Sequence, residues 1–78
     1  MSDELFERFR KVAADSLGKP VEEITMTASF ADDLDADSLD LVQLVMDLEE
    51  EFDITVDEDE LEGIKTVGQA FELIKSKL

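Results

Sequence analysis

Apolar residues recur at helical spacing in three separate stretches of this sequence, and polar and apolar residues alternate nowhere for long. The stretches run from about Asp3 to Leu17, from Ser38 to Phe52 and from Val67 to Leu78. The β-rich run Ile54–Val56 is too short to seed a sheet. With only 78 residues, the chain has the length of one domain. The sequence therefore predicts an all-α fold, a small bundle of three main helices.

Start and stop signals separate these helices. Gly18 is suited to the position just past the end of the first helix, and Pro20 prevents its continuation. Asp37 is the expected N-cap of the second helix, which should close at Asp53. Thr66 and Gln69 have the spacing of a capping box for the last helix.

Two further elements lie between the main helices. A short fourth helix is expected near Asp59–Glu62, with Asp57 before it and Gly63 after it. Residues 19–36 form a long connection between the first and second helices, and loops of this length are often functional. Its apolar side chains should pin it across the bundle; they are Val21, Ile24, Met26, Phe30 and Leu34.

The charge is strongly negative and unevenly distributed. The formal net charge is −15, and the seven Lys and Arg residues occupy positions 8, 10, 11, 19, 65, 75 and 77. Residues 20–64 contain no base and 17 of the 22 acids. Phosphate backbones and anionic membranes would be repelled, so neither nucleic acid nor membrane is an expected partner. The acids either keep the chain soluble or attract partners with basic patches. Because the acids and the bases occupy different parts of the sequence, we favour the second interpretation.

Several kinds of site are excluded by composition. The chain has no Cys and no His, so it can form neither a disulfide nor a Ser–His nucleophile pair. Asp33, Asp35 and Asp37 match the first alternate ligands of an EF-hand loop, but Ser38 and Leu44 occupy its glycine and glutamate positions. No metal site is therefore predicted, and an enzyme is disfavoured. The first residues lack the basic start of a targeting peptide and no apolar run could span a membrane, so a cytoplasmic location is expected.

The predicted helix Ser38–Phe52 carries more apolar surface than a core stripe needs. On a helical wheel one arc is suited to the core, and it contains Leu41, Leu44, Val45, Leu48 and Phe52. A second arc contains Leu39, Val42 and Met46, with Glu49 and Glu50 at its edges. The helix is either buried on both sides or exposes the second arc. We favour exposure because so small a bundle has few elements to cover it, and exposed apolar patches mark partner sites.

Ser38 stands at the start of this helix. A serine there can be purely structural, and its residue type alone favours that interpretation. The first turn of a helix can also stabilise a phosphate through its free N–H groups and its dipole, which is compatible with an attachment role.

The run from Asp33 to Phe52 closely resembles the central motif of the acyl carrier proteins of dissociated (type II) fatty acid synthesis. The similarity lies in Asp37-Ser38-Leu39-Asp40, Leu44-Val45-Met46 and Glu49-Glu50-Glu51-Phe52, with the Phe30–Leu34 lead-in and the Thr66–Gly68 start of the last helix. It spans essentially the whole chain, which implies one acyl carrier domain over residues 1–78.

The resemblance implies a function. A phosphopantetheinyl transferase would attach 4'-phosphopantetheine from coenzyme A to Ser38, between Asp37 and Leu39, and the thiol of this arm would carry the acyl chain. Asp40, Val42, Met46, Glu49 and Glu50 would dock basic patches on fatty acid synthesis enzymes, with the carrier as a monomer. The chain would not be an enzyme itself. An apolar pocket in the bundle would shelter the acyl chain, with Phe30, Leu44, Leu48 and Ile64 as its expected lining.

Two departures and two alternatives remain. The family usually has glycine where this chain has Asp35, although aspartate tolerates left-handed backbone better than most residues. Gln43 stands where an acid is frequent, which weakens one docking contact. The alternatives are a carrier for polyketide, aminoacyl or other specialised chemistry, and an acidic interaction module without a prosthetic group.

Overall fold

The computed structural model describes the backbone of residues 2–78 and the side chains from Glu4 onward. Its helices are α1 (Ser2–Leu17), α2 (Ser38–Phe52), α3 (Glu58–Leu61) and α4 (Val67–Lys77). The predicted all-α bundle is confirmed, and each helix boundary lies within one residue of its prediction. A 3-10 turn at Val21–Glu23, inside the long connection, was not predicted.

Local signals in the sequence start the helices as expected. At α2, Asp37 Oδ1 accepts the Asp40 N–H at 3.0 Å, and Asp40 Oδ2 accepts the Asp37 N–H at 3.3 Å. At α4, Thr66 and Gln69 exchange the same pair of bonds at 3.3 and 3.1 Å. Each capping box satisfies N–H groups that lack a partner within the helix.

The first two main helices end at residues with left-handed backbone. Gly18 has a φ of 66°, and the Lys19 N–H then reaches the Ala14 carbonyl at 3.0 Å. Asp53 has a φ of 56° and ends α2 in the same way. Such closures bond carbonyls that would otherwise remain free at a helix end.

The core lies where α1, α2 and α4 meet. Phe9 of α1 is fully buried, and its ring lies 5.5 Å from that of Phe71 on α4 and 6.2 Å from that of Phe6. The core arc predicted for α2 is buried except for Leu41, which is half-buried; the buried members are Leu44, Val45, Leu48 and Phe52. The wheel assignment of the core face is therefore confirmed for these four residues, while Leu41, in the first turn of α2, is covered only in part.

The long connection packs against the bundle with three of its predicted anchors. Ile24, Phe30 and Leu34 are buried, and Val21 is half-buried. The prediction was wrong for Met26, which is 41% exposed. Its carbonyl accepts the Gly68 N–H at 2.9 Å, and its side chain lies over Gly68 outside the core.

Polar bonds hold this connection against two of the main helices. The Arg10 guanidinium of α1 donates to the carbonyls of Ile24 and Val21 at 2.9 and 2.8 Å. Toward α4, the Val67 N–H donates to the Ala28 carbonyl at 2.9 Å. The connection is thus bonded to α1 and to the start of α4.

Asp35 lies in this connection and has a φ of 52°, a left-handed conformation that is strained for residues other than glycine. We expect Asp35→Ala to lower the free energy of unfolding by about 1 kcal/mol relative to Asp35→Gly, because only alanine retains the strain. Both substitutions remove the same carboxylate, so their difference isolates the backbone. Urea unfolding of the two variants measures it, and equal midpoints would contradict the prediction.

Candidate functional site

Ser38 is the first residue of α2 and is exposed to solvent. Its neighbours Asp37 and Leu39 are also exposed. The capping box between Asp37 and Asp40 holds the backbone on both sides of the serine. Ser38 is therefore presented on a rigid helix start, with its hydroxyl accessible to a second protein.

The other serines whose side chains the structure describes are engaged or buried. Ser16 Oγ is buried and has no hydrogen-bond partner among the described residues. Ser29 Oγ accepts the Asp32 N–H at 3.3 Å, and Ser76 Oγ donates to the Leu73 carbonyl at 2.7 Å. Among these serines, only Ser38 is exposed and forms no side-chain hydrogen bond within the described part of the chain.

An apolar groove adjoins Ser38. It consists of two cavities, of about 490 and 200 Å³, which share Ser38, Leu41, Leu61 and Glu62 as lining residues. We call it the Ser38 groove. The larger cavity is within the usual size range of small-ligand sites, about 300–1,000 Å³. The serine thus lies at the edge of a space that can accept an apolar chain.

The lining of this groove differs from the sequence prediction. Phe30 and Ile64 line the larger cavity as expected. Leu44 and Leu48 do not line either cavity, because they are fully buried in the core. Two half-buried leucines, Leu41 of α2 and Leu61 of α3, line both cavities instead. The helical wheel placed Leu41 within the core arc, so nothing in the sequence indicated this role.

One face of α2 exposes its apolar side chains, as the helical wheel predicted. Leu39 is 78% exposed, Met46 54% and Val42 39%. We call these three residues the apolar face. Two of the predicted docking acids, Asp40 and Glu50, are exposed on the same helix. The alternative in which α2 is buried on both sides is therefore wrong.

Glu49 differs from the other predicted docking acids. It is half-buried, and its Oε2 accepts the Val56 N–H at 2.9 Å, while its backbone carbonyl accepts the Ile54 N–H at 3.1 Å. Both bonds hold the segment that follows α2 and leads to α3. The wheel placed Glu49 beside the apolar face. Helical periodicity could not predict its bond to Val56, because Val56 lies beyond the end of α2.

This bond predicts a difference between two neighbouring acids. We expect Glu49→Ala to lower the free energy of unfolding by about 1.5–3 kcal/mol, because it leaves the Val56 N–H without its charged acceptor. Glu50→Ala removes the same charge from an exposed position and should change stability by about 0.5 kcal/mol or less. Urea unfolding of both variants makes the comparison. Equal stabilities would mean that the Glu49–Val56 bond does not support the fold.

The short helix α3 forms one wall of the Ser38 groove and has no buried residue of its own. Glu60 Oε1 lies 2.8 Å from Lys77 Nζ of α4, and the hydrogen bond from Lys77 holds the pKa of Glu60 below its usual value. Because α3 buries no side chain, its position depends on polar bonds, which Glu49 of α2 and Lys77 of α4 supply.

Comparisons with known proteins agree with this arrangement. A family model described as the phosphopantetheine attachment site matches residues 7–74. The chain is 51% identical over 76 residues to the acyl carrier protein of Petrotoga mobilis (strain DSM 10674 / SJ95), covering 97% of this chain and 89% of that protein. The chain belongs to the acyl carrier protein family. Its fold also matches a crystal structure of an acyl carrier protein from Thermotoga maritima, with a TM-score of 0.82, 28% identity, and coverage of 96% of this chain and 87% of that one.

Family membership identifies the chain as a carrier with covalently attached 4'-phosphopantetheine. The local geometry fits this group, since an exposed hydroxyl that has no partner among the described residues lies beside an apolar groove. The departure from the family at Asp35 is accommodated by left-handed backbone, as expected. Over residues 2–78, no helix is long and apolar enough to cross a membrane.

Proposed function

We propose that the protein carries growing acyl chains as thioesters on a phosphopantetheine arm attached to Ser38 and delivers them to fatty acid synthesis enzymes. The observation that carries this proposal is the exposed Ser38 hydroxyl, which lies at the edge of the Ser38 groove and forms no hydrogen bond within the part of the chain that the structure describes. The chain-wide similarity to an acyl carrier protein supports the carrier role.

Attachment needs little from this chain beyond presentation of the serine. Ser38 Oγ forms the new phosphoester bond while the pyrophosphate bond of coenzyme A breaks. Adenosine 3',5'-bisphosphate leaves with the electron pair of that bond, and the hydroxyl proton passes to the transferase. The first turn of α2 contributes N–H groups and a favourable dipole near the new phosphate. Once attached, the group supplies the thiol that this cysteine-free chain lacks.

The Ser38 groove is the proposed shelter for the acyl chain. Phe30, Leu41, Leu61 and Ile64 offer it apolar side chains from the long connection, α2, α3 and the segment before α4. Each methylene removed from water there would contribute about 0.8 kcal/mol at most. The bonds that position α3 are those of Glu49 with Val56 and of Glu60 with Lys77. Because such polar bonds can break and reform, α3 can adjust its position to acyl chains of different length.

The apolar face and its neighbouring acids are the proposed docking surface for the transferase and the synthesis enzymes. Asp40 and Glu50 would attract basic patches over a distance, and Val42 and Met46 would supply apolar contact once the proteins meet. The absence of Lys and Arg from residues 20–64, the range that contains α2, supports the role of these acids in attracting basic partners. We further propose that the protein acts as a monomer in the cytoplasm.

The intact mass of the protein isolated from its native cell tests the function. A phosphopantetheine increment with fatty acyl loads of increasing length is the expected result. A polyketide or aminoacyl load would replace fatty acid synthesis by specialised chemistry. An unmodified protein that also gains no mass from coenzyme A and a transferase would contradict the attachment itself and favour an interaction module.

A further inference from the structure

We infer that Lys65 is a positioning residue that pairs with the phosphodiester of the arm and holds it against the Ser38 groove. This inference rests on the proposed function, because it requires an arm on Ser38. It concerns a residue outside the docking surface and outside the apolar lining proposed for the acyl chain.

The position of Lys65 in the groove is the first argument. Lys65 and Ser38 line the same cavity of about 490 Å³, one before α4 and the other at the start of α2. Among the described residues that line the Ser38 groove, Lys65 is the only base, and the acids are Asp32, Asp37, Glu58 and Glu62. A phosphodiester attached to Ser38 is an anion among these acids, and Lys65 carries the one positively charged side chain among the described lining residues.

The second argument is that the Lys65 backbone is fixed while its ammonium is free. Its N–H donates to Gln69 Oε1 at 2.7 Å, and its carbonyl accepts the Phe30 N–H at 3.0 Å. Its side chain is exposed and forms no ion pair with any described carboxylate, in contrast to Lys77, which pairs with Glu60. A flexible four-carbon stem on a fixed backbone can follow the phosphate without disturbing the fold.

A third argument comes from the distribution of charge. Lys65 is the first base after Lys19, so a stretch of 45 acid-rich residues ends at the edge of this groove. A surface that only attracted basic partners would gain nothing from a base here. An ammonium beside the attachment serine is explained if an anion becomes attached there.

The test compares the unmodified and the phosphopantetheine-bearing forms of the wild type, Lys65→Gln and Lys11→Gln. Lys11 is exposed on α1, outside the groove, so its substitution makes the same change in charge. Intact mass first establishes that each protein accepts the arm. The ³¹P NMR resonance of the phosphodiester and the urea unfolding of both forms are then measured at low and high salt.

We expect the ³¹P resonance to shift in Lys65→Gln and to match the wild type in Lys11→Gln. The folding constant of the modified form relative to the unmodified form should fall about 1.4- to 5-fold in Lys65→Gln, as for the loss of an exposed ion pair, and should not change in Lys11→Gln. About 1 M salt should remove the difference. Absence of either change in Lys65→Gln would overturn the inference alone, whereas a wild type that accepts no arm would overturn the proposed function as well.

Discussion

Ser38→Ala should gain no mass when incubated with coenzyme A and a phosphopantetheinyl transferase, whereas the wild type should be modified completely. The reason is chemical, because alanine has no oxygen with which to form the phosphoester bond. The effect is all or none, and intact mass spectrometry detects it directly. Far-ultraviolet circular dichroism and urea unfolding should show that the variant is folded. Its unfolding free energy should lie within about 0.5 kcal/mol of the wild type, because the exposed Ser38 side chain forms no bond in the described structure.

Two other serines provide controls for this result. Ser29→Ala and Ser76→Ala should still accept the arm, because both variants retain Ser38. The Ser29 and Ser76 hydroxyls already form hydrogen bonds to nearby backbone groups. Ser16 is expected to be unmodified in every variant because its hydroxyl is buried. A modified Ser38→Ala protein, or a tryptic map that places the group on another residue, would contradict the assignment.

Leu48→Ala should lower the free energy of unfolding by about 2–5 kcal/mol, the usual range for truncating a large buried aliphatic side chain. Leu48 of α2 is fully buried, and alanine would leave a cavity between the helices. A domain of this size has a total stability of only about 5–15 kcal/mol, so the loss is a large fraction of it. Urea unfolding monitored by circular dichroism at 222 nm gives the difference.

Met46→Ala is the matched control for this experiment. It truncates a large apolar side chain on the same helix, two residues earlier, but Met46 is 54% exposed on the apolar face. Its substitution should cost about 0.5 kcal/mol or less. A loss equal to that of Leu48→Ala would mean that Met46 belongs to the core, and the docking surface proposed for α2 would then lose its central contact.

Much of the fold follows from local signals in the sequence, because helix formation and capping depend on residues a few positions apart. The spacing of Leu44, Leu48 and Phe52 predicted the buried side of α2. The pairs Asp37–Asp40 and Thr66–Gln69 began their helices as expected, with Asp40 returning a bond to Asp37 that had not been predicted. The same periodicity separated the apolar face from the core, since a helix places residues three and four apart on one side.

The Ser38 groove could not be predicted in the same way. Its lining comes from four separate segments, and no spacing in the sequence shows that Leu61 of α3 faces Leu41 of α2. The sequence therefore suggested Leu44 and Leu48, which share the apolar character of the true lining but lie in the core. The difference depends on how far α3 stands from α2, which is set by contacts between distant residues.

By itself, the sequence determined the helices, their caps, the two sides of α2 and the resemblance that points to Ser38, because each depends on residue type and short-range spacing. Only the tertiary structure decided which side chains line the groove, that Glu49 binds the Val56 N–H, and that Lys65 shares a cavity with Ser38. Glu49 and Val56 are 7 positions apart, Ser38 and Lys65 are 27 positions apart, and the groove lining comes from separate segments of the chain. They become neighbours only when the buried apolar side chains have packed, since that packing fixes where the connecting segments lie.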